Sequence, residues 1–212
     1  MTTTIKVWSD YVCPYCLLAE EPLRKAIEGL DVEIEWMPFE LRPHPVPTLY
    51  PEGEYLQTVW ARSVYPMARR MDVPIRLPDI SPQPYTRLAF EGYQFAAAHG
   101  KGTEYTPRLL RAFFQENLDI GDIEVLVRLA GELGLPVEEF RTALEEGTYT
   151  EAHQKALRLA EANDIHSVPT LIIGGTQRIE GVVDPERIRR AIAAAESESR
   201  IESGTACGID GC

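Results

Sequence analysis

Cysteine is scarce in this chain of 212 residues: there are four, in two close pairs, Cys13 with Cys16 and Cys207 with Cys212. A chain of this length buries a substantial core without covalent staples, so a disulfide framework is not needed for stability. Basic residues are also outnumbered, 21 Lys and Arg against 33 Asp and Glu, for a formal net charge of −12. That balance works against nucleic acid or a membrane surface as a partner, because binding phosphate needs clustered Lys and Arg. No apolar run approaches the roughly 20 residues that span a bilayer. The first residues, Met1-Thr2-Thr3-Thr4, pass directly into the segment Ile5 to Trp8. They lack the charged start, sustained apolar stretch and small-residue cleavage site of a secretory signal, and the expected location is the cytoplasm. No internal repeat is apparent. Apolar residues at 44% and charged residues at 25% are near globular averages, which excludes disorder for the bulk of the chain.

What is present begins as strand, turn, helix, strand. Thr4 to Ser9 alternates around Ile5 and Val7, as a short strand does. After the turn Asp10-Tyr11-Val12-Cys13, Pro14 stands at a first helical position, where its missing N–H is not needed. Leu17, Leu18, Leu23, Ala26, Ile27 and Leu30 then repeat at helical spacing, and Gly29 marks a stop. Val32 to Trp36 alternates strictly and is a second strand. A proline-rich connection from Arg42 to Pro51 leads into a long helical region, about Glu54 to Asp164, broken at Gly100-Lys101-Gly102, Gly121-Asp122, Gly134-Leu135-Pro136 and Gly147. Pro66 interrupts one apolar-periodic stretch, so a kink or an end is expected near Tyr65. Thr170 to Ile173 reads as a buried strand, Gly174-Gly175 as a hairpin turn and Gln177 to Glu180 as the returning strand. Asp184-Pro185 opens a last helix through Ile188, Ile192 and Ala195. Beyond Glu196 the composition turns to Ser, Glu and Gly, and a mobile tail is expected.

The chemistry concentrates at Cys13 and Cys16. A thiol attacks a disulfide only as thiolate, and a free cysteine is mostly protonated at neutral pH. Cys13 falls at the end of a strand and the start of a helix, where unpaired backbone N–H groups and the helix dipole favour negative charge. Cys-x-x-Cys in that setting brings a thiolate pKa to roughly 3.5 to 7.5. Two intervening residues let the sulfurs face each other across the first helical turn, so that Cys13 attacks and Cys16 resolves the mixed disulfide. Two ordinary core cysteines, or half of a zinc site, are the competing readings. The preceding strand, Pro14 and the amphipathic helix favour redox chemistry, and no second close Cys or His pair follows at the spacing zinc requires.

A second element is His166-Ser167-Val168-Pro169-Thr170, directly before the buried strand. The order of elements puts Pro169 at the start of the strand beside the Cys13 helix. A cis Val168–Pro169 bond is expected there, turning the Val168 backbone outward beside Cys13 to offer edge hydrogen bonds to an extended substrate.

Cys13-Pro14-Tyr15-Cys16 after a strand, a helical insertion, then Val168-Pro169-Thr170 before a strand resembles the DsbA family of thioredoxin-fold proteins. Within it the chain is similar to the cytoplasmic FrnE-type branch, over residues 4 to 195, and the segment Trp60-Ala61-Arg62-Ser63-Val64-Tyr65-Pro66 shares that likeness. The resemblance implies an α/β thioredoxin fold, a central mixed sheet flanked by helices, with an inserted all-helical subdomain. Residues 1–45 and 163–196 would form the thioredoxin-fold domain, 46–162 the insert and 197–212 a flexible tail carrying the Cys-x4-Cys pair. It further implies protein disulfide oxidoreductase or isomerase activity with no cofactor and no metal. Cys13 would be the nucleophile, Cys16 the resolving thiol and Pro169 the cis-proline, with Pro14, Tyr15 and Val168 meeting the substrate. Client proteins bearing thiols or disulfides are the implied partners, with glutathione or a thioredoxin-type protein as redox partner. The related kappa-type glutathione transferases and 2-hydroxychromene-2-carboxylate isomerases share the inserted fold but typically carry serine where this chain has Cys13, which favours dithiol exchange over conjugation.

A different class of function, metal or thiol sequestration by all four cysteines, stays open at this stage. Cys207 and Cys212 are read as a shuttle dithiol exchanging with Cys13 and Cys16, since twelve extended residues from Ala195 to Cys207 reach roughly 40 Å. His166, three residues before Pro169, is a candidate neighbour of Cys13. His44, His99 and His153 are expected at the surface. Asp10 is given no catalytic role.

Overall fold

A computed structural model of the chain describes residues 2–205. Four strands, β1 (Thr3–Ser9), β2 (Val32–Pro38), β3 (Thr170–Ile173) and β4 (Gln177–Glu180), form one sheet in the order β2-β1-β3-β4. The parallel pair β1–β2 needs a crossover, which α1 (Pro14–Ile27) supplies. β1 and β3 pair antiparallel with Trp8 opposite Thr170 and Val7 opposite Leu171. β3 and β4 form the expected hairpin, Thr170 opposite Glu180.

The alternation along β1 divides its side chains between two faces. Ile5 and Val7 enter the main core with Leu17, Leu18, Leu23 and Ala26 of α1 and with Ile188 and Ile192 of α9 (Pro185–Thr205). Trp8 points the other way, into a smaller cluster with Met37, Ala160 and Ile165. Between β2 and β3 the chain is helical: α2 (Glu54–Val59), α3 (Tyr65–Met71), α4 (Arg87–Ala98), α5 (Gly102–Phe114), α6 (Ile123–Glu132), α7 (Val137–Glu145) and α8 (Thr150–Ala162). The Gly121-Asp122 break works as a start signal, because the Asp122 side chain accepts the Glu124 N–H at 2.8 Å. Among the described residues no helix is long and apolar enough to cross a membrane.

Two expectations change. The interruption at Pro66 is neither an end nor a simple kink. One turn of π-helix, Trp60–Val64, joins α2 to α3, and Pro66 lies in the first turn of α3. Proline has no N–H to donate and its ring crowds the preceding carbonyls, so a wider turn just before it accommodates both defects. The last helix does not stop at Glu196 either; α9 continues to Thr205, into the segment expected as a flexible tail. Ser and Glu are tolerated here because local pairs support the helix: Arg200 lies one turn from Glu196, and Glu198 accepts hydrogen bonds from Thr176 and Gln177 at the hairpin.

That hairpin rests closely on α9. Gly174 has φ +58°, and a Cβ built on it would lie 2.6 Å from the Cβ of Ala195. A side chain there meets both a left-handed backbone and an occupied space. Gly174→Ala is expected to lower unfolding stability by about 2 kcal/mol or more, read from urea denaturation; an unchanged midpoint would show that hairpin and helix separate freely.

Candidate active site

β1 delivers the chain to Asp10, and the turn that follows is closed by the Cys13 N–H donating to the Asp10 carbonyl at 3.0 Å. Cys13 is the N-cap of α1, with extended backbone (φ −92°, ψ 111°) and Pro14 behind it. Its own carbonyl accepts the Cys16 N–H at 3.0 Å, which starts the helix. The Cys13 side chain therefore stands at the open end of α1, where backbone N–H groups lack helical partners.

The β1–β3 register brings Val168 and Pro169 to the same place. The Val168–Pro169 peptide is cis, and the Cys13 thiol lies 3.6 Å from the Val168 carbonyl oxygen, to which it donates. Cys13, Cys16, Val168 and Pro169 are thus gathered at one end of the sheet. Val12, Pro14, Tyr15 and Val168 are partly exposed around the first sulfur, and the Tyr15 hydroxyl donates to Ser63 Oγ of the π turn at 2.7 Å.

The two thiols are free and unequal. Cys13 keeps 5% of its surface and Cys16 2%. Burial, followed by the adjacent Cys13 sulfur, pushes the Cys16 thiol well above the ordinary cysteine range, while the Ser9 hydroxyl and the Asp10 backbone oppose this. Cys16 is thus the more deeply buried of the two thiols and the one whose proton burial retains.

Behind the turn lies a buried polar group that sequence reading left without a role. Asp10 is fully buried, and its Oδ2 accepts the Leu41 N–H at 2.7 Å. Burial raises its carboxyl to about 7, with the charge of Glu40 adding and the Leu41 N–H and Thr86 hydroxyl opposing. Glu40 pairs with His153 Nε2 at 2.6 Å. His153 is therefore not at the surface: it is buried beneath the ring of Phe90, which also stacks on Tyr11 at 4.4 Å. Its position on the inward side of α8 shows only once that helix is docked on β2. His44, His99 and His166 are exposed, and no hydrogen bond joins His166 to Cys13 among the described residues. Cys207 and Cys212 lie outside the described residues.

A cavity of about 620 Å³ is lined by Leu17, Glu20, Trp36 and Arg111 among others. Burial raises Glu20 there to about 7, against the pull of Arg111. Among the described residues no group of three or more His, Cys, Asp or Glu side chains is placed to hold a metal ion.

A dithiol at a helix start, facing a proline-bounded strand edge across a four-stranded mixed sheet, defines a thioredoxin-fold protein with an inserted helical region. The DSBA-like thioredoxin domain model matches residues 4–193, and the chain belongs to that family. It is 49% identical over 195 residues to the uncharacterized protein YwbO of Bacillus subtilis (strain 168), covering 91% of this chain and 97% of that one. A probable DsbA oxidoreductase from Streptomyces coelicolor superposes with a TM-score of 0.78 at 21% identity, over 92% of this chain and 91% of its own. The cytosolic disulfide reductase DsbM from Pseudomonas aeruginosa, in its structure with GSH, gives 0.66 at 21% identity, over 93% and 99%. At these identities the two structures establish the shared fold.

Asp10 and Glu20 have a thermodynamic consequence. Both carboxyls titrate higher in the folded chain than the ordinary 3.8 and 4.5. The native state therefore binds more protons between about pH 4 and 7, and stability falls as pH rises through that window. Asp10→Asn keeps an acceptor for Leu41 without a charge. It is expected to match the wild type at pH 4 and to exceed it by about 1 kcal/mol or more at pH 8, read from urea unfolding at both values. An equal difference at the two pH values would mean that Asp10 titrates as an ordinary carboxyl.

Proposed function

We propose that this protein is a thiol–disulfide oxidoreductase acting on protein clients through Cys13-Pro14-Tyr15-Cys16. The observation that carries this reading is the Cys13 thiol at the start of α1, 3.6 Å from the Val168 carbonyl, with the more deeply buried Cys16 behind it. As thiolate, Cys13 attacks a client disulfide. The client S–S bond breaks, a Cys13–client bond forms, and the other client sulfur leaves as thiolate. Cys16 then loses its proton and attacks the Cys13 sulfur; the Cys13–Cys16 bond forms and the client is released with both sulfurs reduced. In reverse, a client thiolate attacks the Cys13–Cys16 disulfide and leaves oxidised, and release at the mixed stage allows isomerisation. The partly exposed backbone at Val168 suits an extended peptide, which can hydrogen-bond there while its sulfur approaches Cys13.

Turnover in one direction requires a partner that returns the dithiol. Glutathione or a thioredoxin-type protein fills that role in the cytoplasm; the likeness to a cytosolic disulfide reductase whose structure includes GSH supports this assignment.

Cys207 and Cys212, at the end of the sequence, are proposed as an auxiliary dithiol that exchanges with Cys13 and Cys16.

In insulin-reduction and scrambled-ribonuclease assays, Cys13→Ser is expected to fall to the uncatalysed rate, and Cys16→Ser to accumulate a client mixed disulfide on Cys13. Activity that survives Cys13→Ser rejects the reading. Deleting residues 207–212 is expected to slow exchange; unchanged kinetics after the deletion would remove the auxiliary pair from the mechanism.

A further inference from the structure

We infer that Ser63 is a positioning residue for the dithiol: through the Tyr15 hydroxyl it ties the π turn of the helical insert to the first turn of α1 and sets the balance between dithiol and disulfide. The inference rests on the dithiol chemistry proposed above and adds a residue that neither cysteine touches.

Tyr15 lies between Cys13 and Cys16, in the first turn of α1. Its hydroxyl is held at 2.7 Å by Ser63 Oγ, 48 residues along the chain. The Ser63 side of the bond has a firm base. Trp60 and Val64, in the same π turn, are 1% and 0% exposed, and the Trp60 ring packs against those of Tyr65 at 5.2 Å and Phe114 at 5.9 Å. A π turn holds one more residue than an α turn, which changes the direction in which its side chains emerge. Ser63 leaves this one on the partly exposed side, toward Tyr15.

The dithiol turn is therefore held at two points, on the sheet side by Cys13 against the Val168 carbonyl and on the insert side by Tyr15 against Ser63. Forming a disulfide draws the sulfurs to about 2.05 Å, within the turn that these two contacts hold. A tether fitted to the turn with both thiols free stabilises the dithiol relative to the disulfide. Without it, the equilibrium moves toward the disulfide and the couple becomes more reducing.

The test is the equilibrium of the Cys13–Cys16 couple with reduced and oxidised glutathione, measured with thermal unfolding to confirm that each variant is folded. Tyr15→Phe and Ser63→Ala are each expected to lower the equilibrium constant for the reduced form by about threefold or more, equivalent to about 14 mV for two electrons. The double variant is expected to shift no further than either single one, because both remove the same bond. Ser63→Thr, which keeps the hydroxyl, is expected to restore the wild-type value. Constants unchanged in Ser63→Ala, an effect of Tyr15→Phe alone, or additive shifts in the double variant overturn the inference and leave the dithiol reading standing. A wild-type chain that does not exchange with glutathione or client disulfides overturns the dithiol reading, and the inference with it.

Discussion

The antiparallel pairing of β1 with β3 is the constraint on which the site depends. Cys13 and Val168 are 155 positions apart, and they meet because Trp8 lies opposite Thr170 and Val7 opposite Leu171. β3 is only four residues long, yet its register has no freedom. Leu171 and Ile173 are buried on the same face as Ile5 and Val7, and a slip of one residue would turn them away from the core. Hydrophobic burial along the strands thus determines where a carbonyl oxygen sits beside a sulfur. The chemistry inherits its precision from the core.

Chemical asymmetry between the two thiols follows from their positions in one helical turn. The N-cap residue looks out from the helix start and the residue three places on looks inward. Cys13 consequently borders partly exposed Pro14, Tyr15 and Val168, while Cys16 is enclosed and protonated. Identical side chains within one helical turn thus sit in different surroundings.

The helical insert does more than cover the sheet. It supplies Ser63 to Tyr15 and His153 to Glu40, and α8 packs against β2 on the Trp8 face. Asp10, immediately behind the cysteine turn, is buried where the chain leaves β2, with Leu41 as its donor and Glu40 beside it. A carboxyl that titrates near neutrality next to a dithiol couples the state of the core to pH in the range where thiol chemistry operates.

Much of this was legible in the residues themselves. Strand alternation placed β1 and β2, a short apolar run placed β3, Pro14 marked the first turn of α1, and Gly174-Gly175 marked the hairpin to β4, because each signal is local and acts through φ, ψ and side-chain period. The cysteine pair and Pro169 were visible for the same reason. Other features had no local signal. A lone histidine in a polar helix reads as exposed until the helix is docked, and His153 proved to be buried against Glu40. The extent of α9 depended on side-chain pairs with the hairpin, 21 and 22 positions away. Ser63 lay in a segment that drew notice only by likeness, and its partner is 48 residues distant. By itself the sequence determined most of the elements and which two sulfurs share one helical turn, since spacing within a turn and period along a strand are properties of neighbouring residues. Tertiary structure alone decided which distant groups surround those atoms, because burial and long-range hydrogen bonding exist only after the sheet and the insert have packed together.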